Sequence, residues 1–180
     1  MTEPKISSVY AEALFELACE TDCLEDISID LISVNDIFEK NPEFLNLLSA
    51  PELSLEEKTE TLKKVFGDDE GILMNFLCLL TEKHRIGYIS EICADFKGLY
   101  NKHKNIEEVT VTTSIPLDES ERNRLIVKLQ EKLGKRIKLM ENVDKSLIGG
   151  VRLSYGDTLI DNSIATRINS ISKELKNNNI

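Results

Sequence analysis

The sequence lacks what several functional classes require. No run approaches the roughly 20 consecutive apolar residues needed to cross a bilayer, so a membrane-spanning role is not expected. The opening Met1-Thr2-Glu3-Pro4-Lys5 has neither the apolar core of a secretory signal nor an Arg- and Ser-rich leader, which weighs against a signal peptide and against an unprocessed organellar precursor. Basic residues are in deficit: 22 Lys and Arg stand against 32 Asp and Glu, a net charge of −10. Nucleic-acid affinity comes largely from counterion release by Lys and Arg, so a DNA or RNA partner is disfavoured. Cys19, Cys23, Cys78 and Cys93 lack CxxC or zinc-ribbon spacing and are expected to be reduced thiols of a cytoplasmic protein. His84 and His103 are the two histidines, and neither has a metal-ligand partner at i+4. There is no P-loop, HExxH or nucleophile elbow, and Gly149-Gly150 and Gly156 do not meet phosphate-loop spacing. Asp144, Asp157 and Asp161 fall at turns or element ends, where hydrogen bonds to nearby backbone amides explain them. No catalytic residue, cofactor or metal is therefore expected.

What is present is periodic hydrophobicity, 41% of 180 residues, enough for one medium or two small domains. Ile6, Val9, Tyr10, Ala13, Leu14, Leu17 and Ala18 trace a helical face, and Ala11 and Phe15 widen it beyond the usual stripe. That width has two explanations: a helix buried on two sides of its own bundle, or one that keeps a side for a partner. Leu24, Ile27, Leu31, Val34 and Phe38 mark a second helix. Asn41-Pro42 breaks it and opens a short third helix carrying Phe44, Leu45, Leu47 and Leu48. Ser54 and Glu57 form a capping box for a fourth helix with Leu55, Leu62, Val65 and Phe66. After the turn Gly67-Asp68-Asp69-Glu70-Gly71, a fifth helix from Ile72 to Leu80 has Asn75 as its single polar residue. It must be a central helix or share its surface. A sixth helix carries Ile89, Ile92, Cys93, Phe96 and Leu99.

Asn101 to Asn105 is polar and aperiodic, and is expected to be the linker between a six-helix bundle (1–105) and a second domain (106–180). In that second domain Glu107 to Ser114 alternates as a strand. Asp118 with Glu121 caps a helix that ends at Gly134, and Ile137-Lys138-Leu139 starts another strand. Val151, Leu153 and Tyr155 alternate with Arg152 and Ser154, Gly156-Asp157 turns, and Thr158-Leu159-Ile160 returns, which reads as a β-hairpin. Gly149-Gly150 before it suggests a bulge or the close approach of another backbone. Ile164, Ile168, Ile171 and Leu175 complete a last helix, and Asn177-Asn178-Asn179 is expected to fray. The fold class is α+β, a helical bundle followed by a small βαβββα domain.

The stretch Asp144-Lys145-Ser146-Leu147-Ile148-Gly149-Gly150-Val151, followed by Gly156-Asp157-Thr158-Leu159-Ile160-Asp161, resembles the C-terminal signature of the delta subunit of bacterial F-type ATP synthase. The mitochondrial oligomycin sensitivity conferral protein belongs to the same family. The family's Asp-Gly-Ser at the hairpin exit appears here as Asp161-Asn162-Ser163. The likeness extends along the chain. Tyr10-Ala11-Glu12-Ala13-Leu14-Phe15-Glu16-Leu17-Ala18 looks like the family's opening helix, and Asn75-Phe76-Leu77 through Glu82-Lys83-His84-Arg85-Ile86 like its fifth. Ser114-Ile115-Pro116-Leu117 stands at the entry to its C-terminal helix.

The resemblance implies a non-catalytic stator subunit, peripheral on the cytoplasmic face of the bacterial membrane. Its N-terminal bundle is expected to bind the N-terminal helices of α subunits of the catalytic head, and its C-terminal domain to grip the b subunit of the peripheral stalk. The linkage keeps proton flow coupled to ATP synthesis. The alternative from the residues alone is a cytoplasmic protein–protein adaptor unrelated to ATP synthase. Candidate partner-binding residues are Tyr10, Ala13, Leu14 and Leu17 of the first helix, Phe76 and Leu79 of the fifth, and Gly150 beside the hairpin. Tyr10 suits an anchor, since a tyrosine buries its ring while its hydroxyl stays at a wet rim. Ala13 permits close approach of a ligand helix.

Overall fold

The computed structural model describes residues 5–67 and 71–177, with side-chain surroundings through residue 170. Asp68, Asp69 and Glu70 of the expected turn, and Asn178 and Asn179 of the expected frayed end, lie outside the described residues. The order is α1 (Ile6–Glu20), α2 (Leu24–Lys40), α3 (Pro42–Ser49), α4 (Leu55–Phe66), α5 (Ile72–Glu82), a 3-10 turn (Ile86–Tyr88), α6 (Ile89–His103), β1 (Ile106–Thr113), α7 (Glu119–Leu133), β2 (Arg136–Val143), a 3-10 turn (Lys145–Leu147), β3 (Val151–Tyr155), β4 (Thr158–Asp161) and α8 (Ile164–Asn177). The chain divides between Tyr100 and Asn101 into two compact units.

In the first unit local signals act where they stand. In α2 the residues buried are Leu24, Ile27, Leu31, Val34 and Phe38, the three-and-four spacing of one helical face. Pro42 occupies the first turn of α3, where a missing N–H costs nothing. Ser54 Oγ accepts the Glu57 N–H, and the Glu57 carboxylate accepts the Ser54 N–H in return, which lowers the Glu57 pKa. The Phe38 ring stacks on Phe44 at 5.3 Å and leans on Phe66 at 5.9 Å, tying α2, α3 and α4 together.

Two details are decided by packing. Leu55 and Val65 of α4 are exposed, whereas Lys58 and Leu62, one turn apart, face the bundle. The rotation that buries Leu62 carries the Lys58 stem inward with it, and a long aliphatic stem packs against apolar neighbours. The polar stretch from Asn101, expected to be the linker, is helical in its first part, because α6 continues to His103. An exposed last turn needs no apolar face, and Lys102 and His103 suit the negative end of the helix dipole. Asn105, at φ +54, then turns the chain out.

The second unit is a four-stranded sheet of order β2-β1-β3-β4. β1 and β2 are parallel, joined by α7 as the crossover that parallel pairing demands, while β1–β3 and β3–β4 are antiparallel. Register aligns Val109 with Leu139 and Val111 with Leu153, next to Ile160 of β4. These side chains share the face on which α7 packs against β2. The opposite face carries ion pairs Lys138–Glu108 at 3.4 Å and Arg152–Asp161 at 3.0 Å, together with exposed Met140 and Leu159. Asp118 and Glu121 cap α7 reciprocally, and Gly134 at φ +66 ends it.

Candidate partner-binding groove

The buried residues of α1 are Ser7, Ala11, Leu14 and Ala18. Ala11, one of the residues that widened the apolar arc, therefore faces the core, and Phe15 packs edge-on against Phe96 at 5.9 Å. The surplus lies on the other side. Val9 is 50% exposed and Leu17 42%, with exposed Ala13 between them, so apolar side chains recur at four-residue intervals on the open surface.

Tyr10 bounds this stripe on the side of α5. Its half-buried ring meets Phe76 edge-on, centroids 6.4 Å apart. The hydrogen bond to the Glu82 carboxylate raises the Lys83 pKa at the end of α5. Leu79 of α5 is 40% exposed. Of the candidate residues, Ala13, Leu17 and Leu79 are on the surface and Tyr10 is at the junction. Phe76 is nearly buried beneath it, and Leu14, 2% exposed, belongs to the hydrophobic core. A separate cleft of about 630 Å³ between α2, α4 and α5 is lined by Ile27, Val34, Phe66 and Leu77 among others, with Asp30 and Ser33 at its edge.

In the second unit Gly150 stands apart from this groove in sequence and in role. It has φ +81, and a Cβ there would collide with the carbonyl oxygen of Asn162 and lie 3.1 Å from Ser163 Cα. Around that contact, Asp161 accepts the Ser163 N–H at 2.9 Å, the Thr166 hydroxyl at 3.0 Å and the Arg152 Nε–H at 3.0 Å. These bonds, Ser163 foremost, hold the Asp161 carboxyl far below the usual carboxylate range. Asp144 accepts the Ser146 N–H at 2.9 Å, which caps the 3-10 turn and lowers its pKa likewise. Leu147 is buried, and Ile148 is exposed with φ +64.

A family model for the ATP synthase delta (OSCP) subunit matches residues 6–175, which spans both units, α1 and the Asp144–Ser163 region. The chain belongs to that family. It is 36% identical to the ATP synthase subunit delta of Geobacillus sp. (strain WCH70), over 97% of this chain and 99% of the relative. It is 31% identical to the sodium ion specific subunit delta of Ilyobacter tartaricus, over 96% and 99% of the two chains. Its fold is shared with a chain in the cryo-EM structure of the Toxoplasma gondii mitochondrial ATP synthase hexamer, at a TM-score of 0.72 and 24% identity, covering 96% of this chain and 98% of that one.

Delta subunits are structural, non-catalytic components of ATP synthase, and this chain is one of them. ATP synthase is a membrane-associated complex, and among the described residues no helix of this delta subunit is long and apolar enough to cross a membrane. Sequence reasoning singled out α1 and α5 but overlooked Val9 as a surface residue. Periodicity shows that a helix is apolar over a wide arc; which edge of the arc faces the core depends on where α5 and α6 pack.

Proposed function

We propose that this delta subunit is the link between the catalytic head and the peripheral stalk of the synthase. The first unit receives the apolar face of an α-subunit N-terminal helix in the groove between α1 and α5, and the second unit holds the b subunit. The subunit thus acts as a stator, peripheral on the cytoplasmic face of the bacterial membrane, and keeps the head from turning with the rotor while ion flow drives ATP synthesis. The observation that carries the reading is the exposed stripe Val9–Ala13–Leu17 beside Tyr10, Phe76 and Leu79. Helices dock in such apolar grooves through residues at three-and-four spacing. A torque-bearing contact needs slow dissociation, which extensive apolar burial favours.

The test is calorimetric titration of the full-length chain with a synthetic peptide of the α-subunit N-terminus, alongside co-purification of α and b subunits from a membrane extract. Binding of the peptide by wild type and its loss in Leu17→Asp, with the variant folded by circular dichroism, is the expected result. Equal binding by both moves the head contact away from α1.

A further inference from the structure

Acidic residues are not spread evenly over this chain. Residues 1–100 hold 21 Asp and Glu against 8 Lys and Arg, a net of −13, whereas residues 101–180 hold 11 against 14, a net of +3. Within the first unit, part of that excess lies along the groove. Glu12, Glu16 and Glu20 recur at the same four-residue interval as Val9, Ala13 and Leu17. All three glutamates are exposed, and among the described residues none has an ion-pair partner. At 100° per residue they form a second stripe next to the apolar one, on the side away from Tyr10. The proposed groove thus combines the exposed apolar row of α1, Tyr10 over buried Phe76, exposed Leu79 of α5, and carboxylates along the edge of α1 away from Tyr10. Lys83, just past the end of α5, is paired with Glu82 at 2.9 Å.

The border is unfavourable to α1 by itself. Like charges one turn apart repel, and Glu16 and Glu20 lie toward the helix C-terminus, where the dipole disfavours anions. The last turn of α1 contains no basic residue to offset them. A partner that supplies cations along this edge relieves both effects.

We infer that the groove selects an amphipathic helix whose apolar stripe is bordered by Lys or Arg, so that Glu12, Glu16 and Glu20 supply electrostatic selectivity for the head-side ligand. This rests on the proposed binding of an α-subunit N-terminal helix between α1 and α5. It adds the charge of the ligand's edge, which neither apolar periodicity nor the groove's shape specifies. The apolar floor supplies affinity, and the carboxylates supply orientation and a salt-sensitive rate of encounter.

The experiment uses the full-length chain and two synthetic amphipathic helices of about 18 residues, five turns in length. Both peptides have the same Leu and Ile face; one is bordered by Lys and Arg, the other by Gln. Each is titrated calorimetrically into wild type, into the triple variant Glu12→Gln, Glu16→Gln, Glu20→Gln, and into Leu17→Asp, at low and high salt. Three exposed ion pairs predict about tenfold tighter binding of the basic-edged peptide by wild type. That preference is expected to shrink on going from about 0.05 M to about 0.5 M salt, as screening shortens the reach of charge. In the triple variant the two peptides are expected to bind alike, with the affinity of the Gln-edged peptide unchanged. Circular dichroism should show the variant at least as helical as wild type, because repulsion has been removed.

Equal affinities and equal salt dependence for the two peptides on wild type would overturn the inference and leave the groove standing. Failure of both peptides to bind folded wild type, or undiminished binding by Leu17→Asp, would overturn the groove reading and with it the inference.

Discussion

Gly150 and Asn162 are in backbone contact: the hydrogen side of the Gly150 Cα faces the Asn162 carbonyl, leaving no room for a Cβ. The two residues flank the hairpin of β3 and β4, so the contact closes its base, where Asn162 N–H also bonds the Val151 carbonyl at 3.0 Å. The glycine of the signature is therefore required by the subunit's own fold, whether or not the stalk touches it. Gly150→Ala combines this clash with positive φ and is expected to lower stability by about 2 kcal/mol or more. Urea unfolding followed in the second unit measures it, and an unchanged midpoint would mean the backbone yields without cost.

Two neighbouring residues of α1 are expected to behave oppositely. Ala13→Asp puts a charge on the exposed floor of the groove and should weaken binding of the α-subunit N-terminal peptide by about 2 kcal/mol, near thirtyfold, with little change in stability. Leu14→Ala opens a cavity in the core and should cost roughly 2–5 kcal/mol of stability. Calorimetry and thermal melts on the same samples separate the two. A destabilised but fully binding Ala13→Asp would place Ala13 in the core instead.

Ile148 presents a stability gain. It is β-branched, at φ +64 and ψ −39, in a region rare for such residues, yet its side chain is 65% exposed. Ile148→Gly relieves the backbone and loses little packing, so the unfolding free energy should rise by about 1 kcal/mol. A lower urea midpoint in the variant would show that the isoleucine packs usefully where it is.

The Asp161 network makes the second unit sensitive to acid. With its folded pKa depressed by Ser163, Thr166 and Arg152, Asp161 adds stability above the unfolded carboxyl pKa of about 3.9. That contribution fades as pH falls from there through the folded value. Wild type should therefore lose stability between about pH 4 and pH 2 more steeply than Asp161→Asn. Parallel slopes for the two proteins would remove Asp161 from the acid transition.

The sequence by itself determined whatever rests on neighbours along the chain. The buried stripe of α2, the capping boxes at Ser54–Glu57 and Asp118–Glu121, the Gly134 cap and the β3–β4 hairpin depend on interactions within a few residues, and each is found where spacing predicts. The Asp144–Ser163 signature was legible for the same reason, and it pointed to the family. Only the tertiary structure decided which side of α1 is core, because Ala11 and Val9 are equally apolar and differ only in what packs against them. It likewise turned Lys58 rather than Leu55 inward, and set β1 between β2 and β3 across a long crossover. Such choices depend on surfaces contributed by residues distant in the chain, and burial is a property of the assembled set. The acidic border of the groove became visible only when the exposed stripe beside it was known: three glutamates at helical spacing are an ordinary solvated face until an unpaired apolar row is found alongside them.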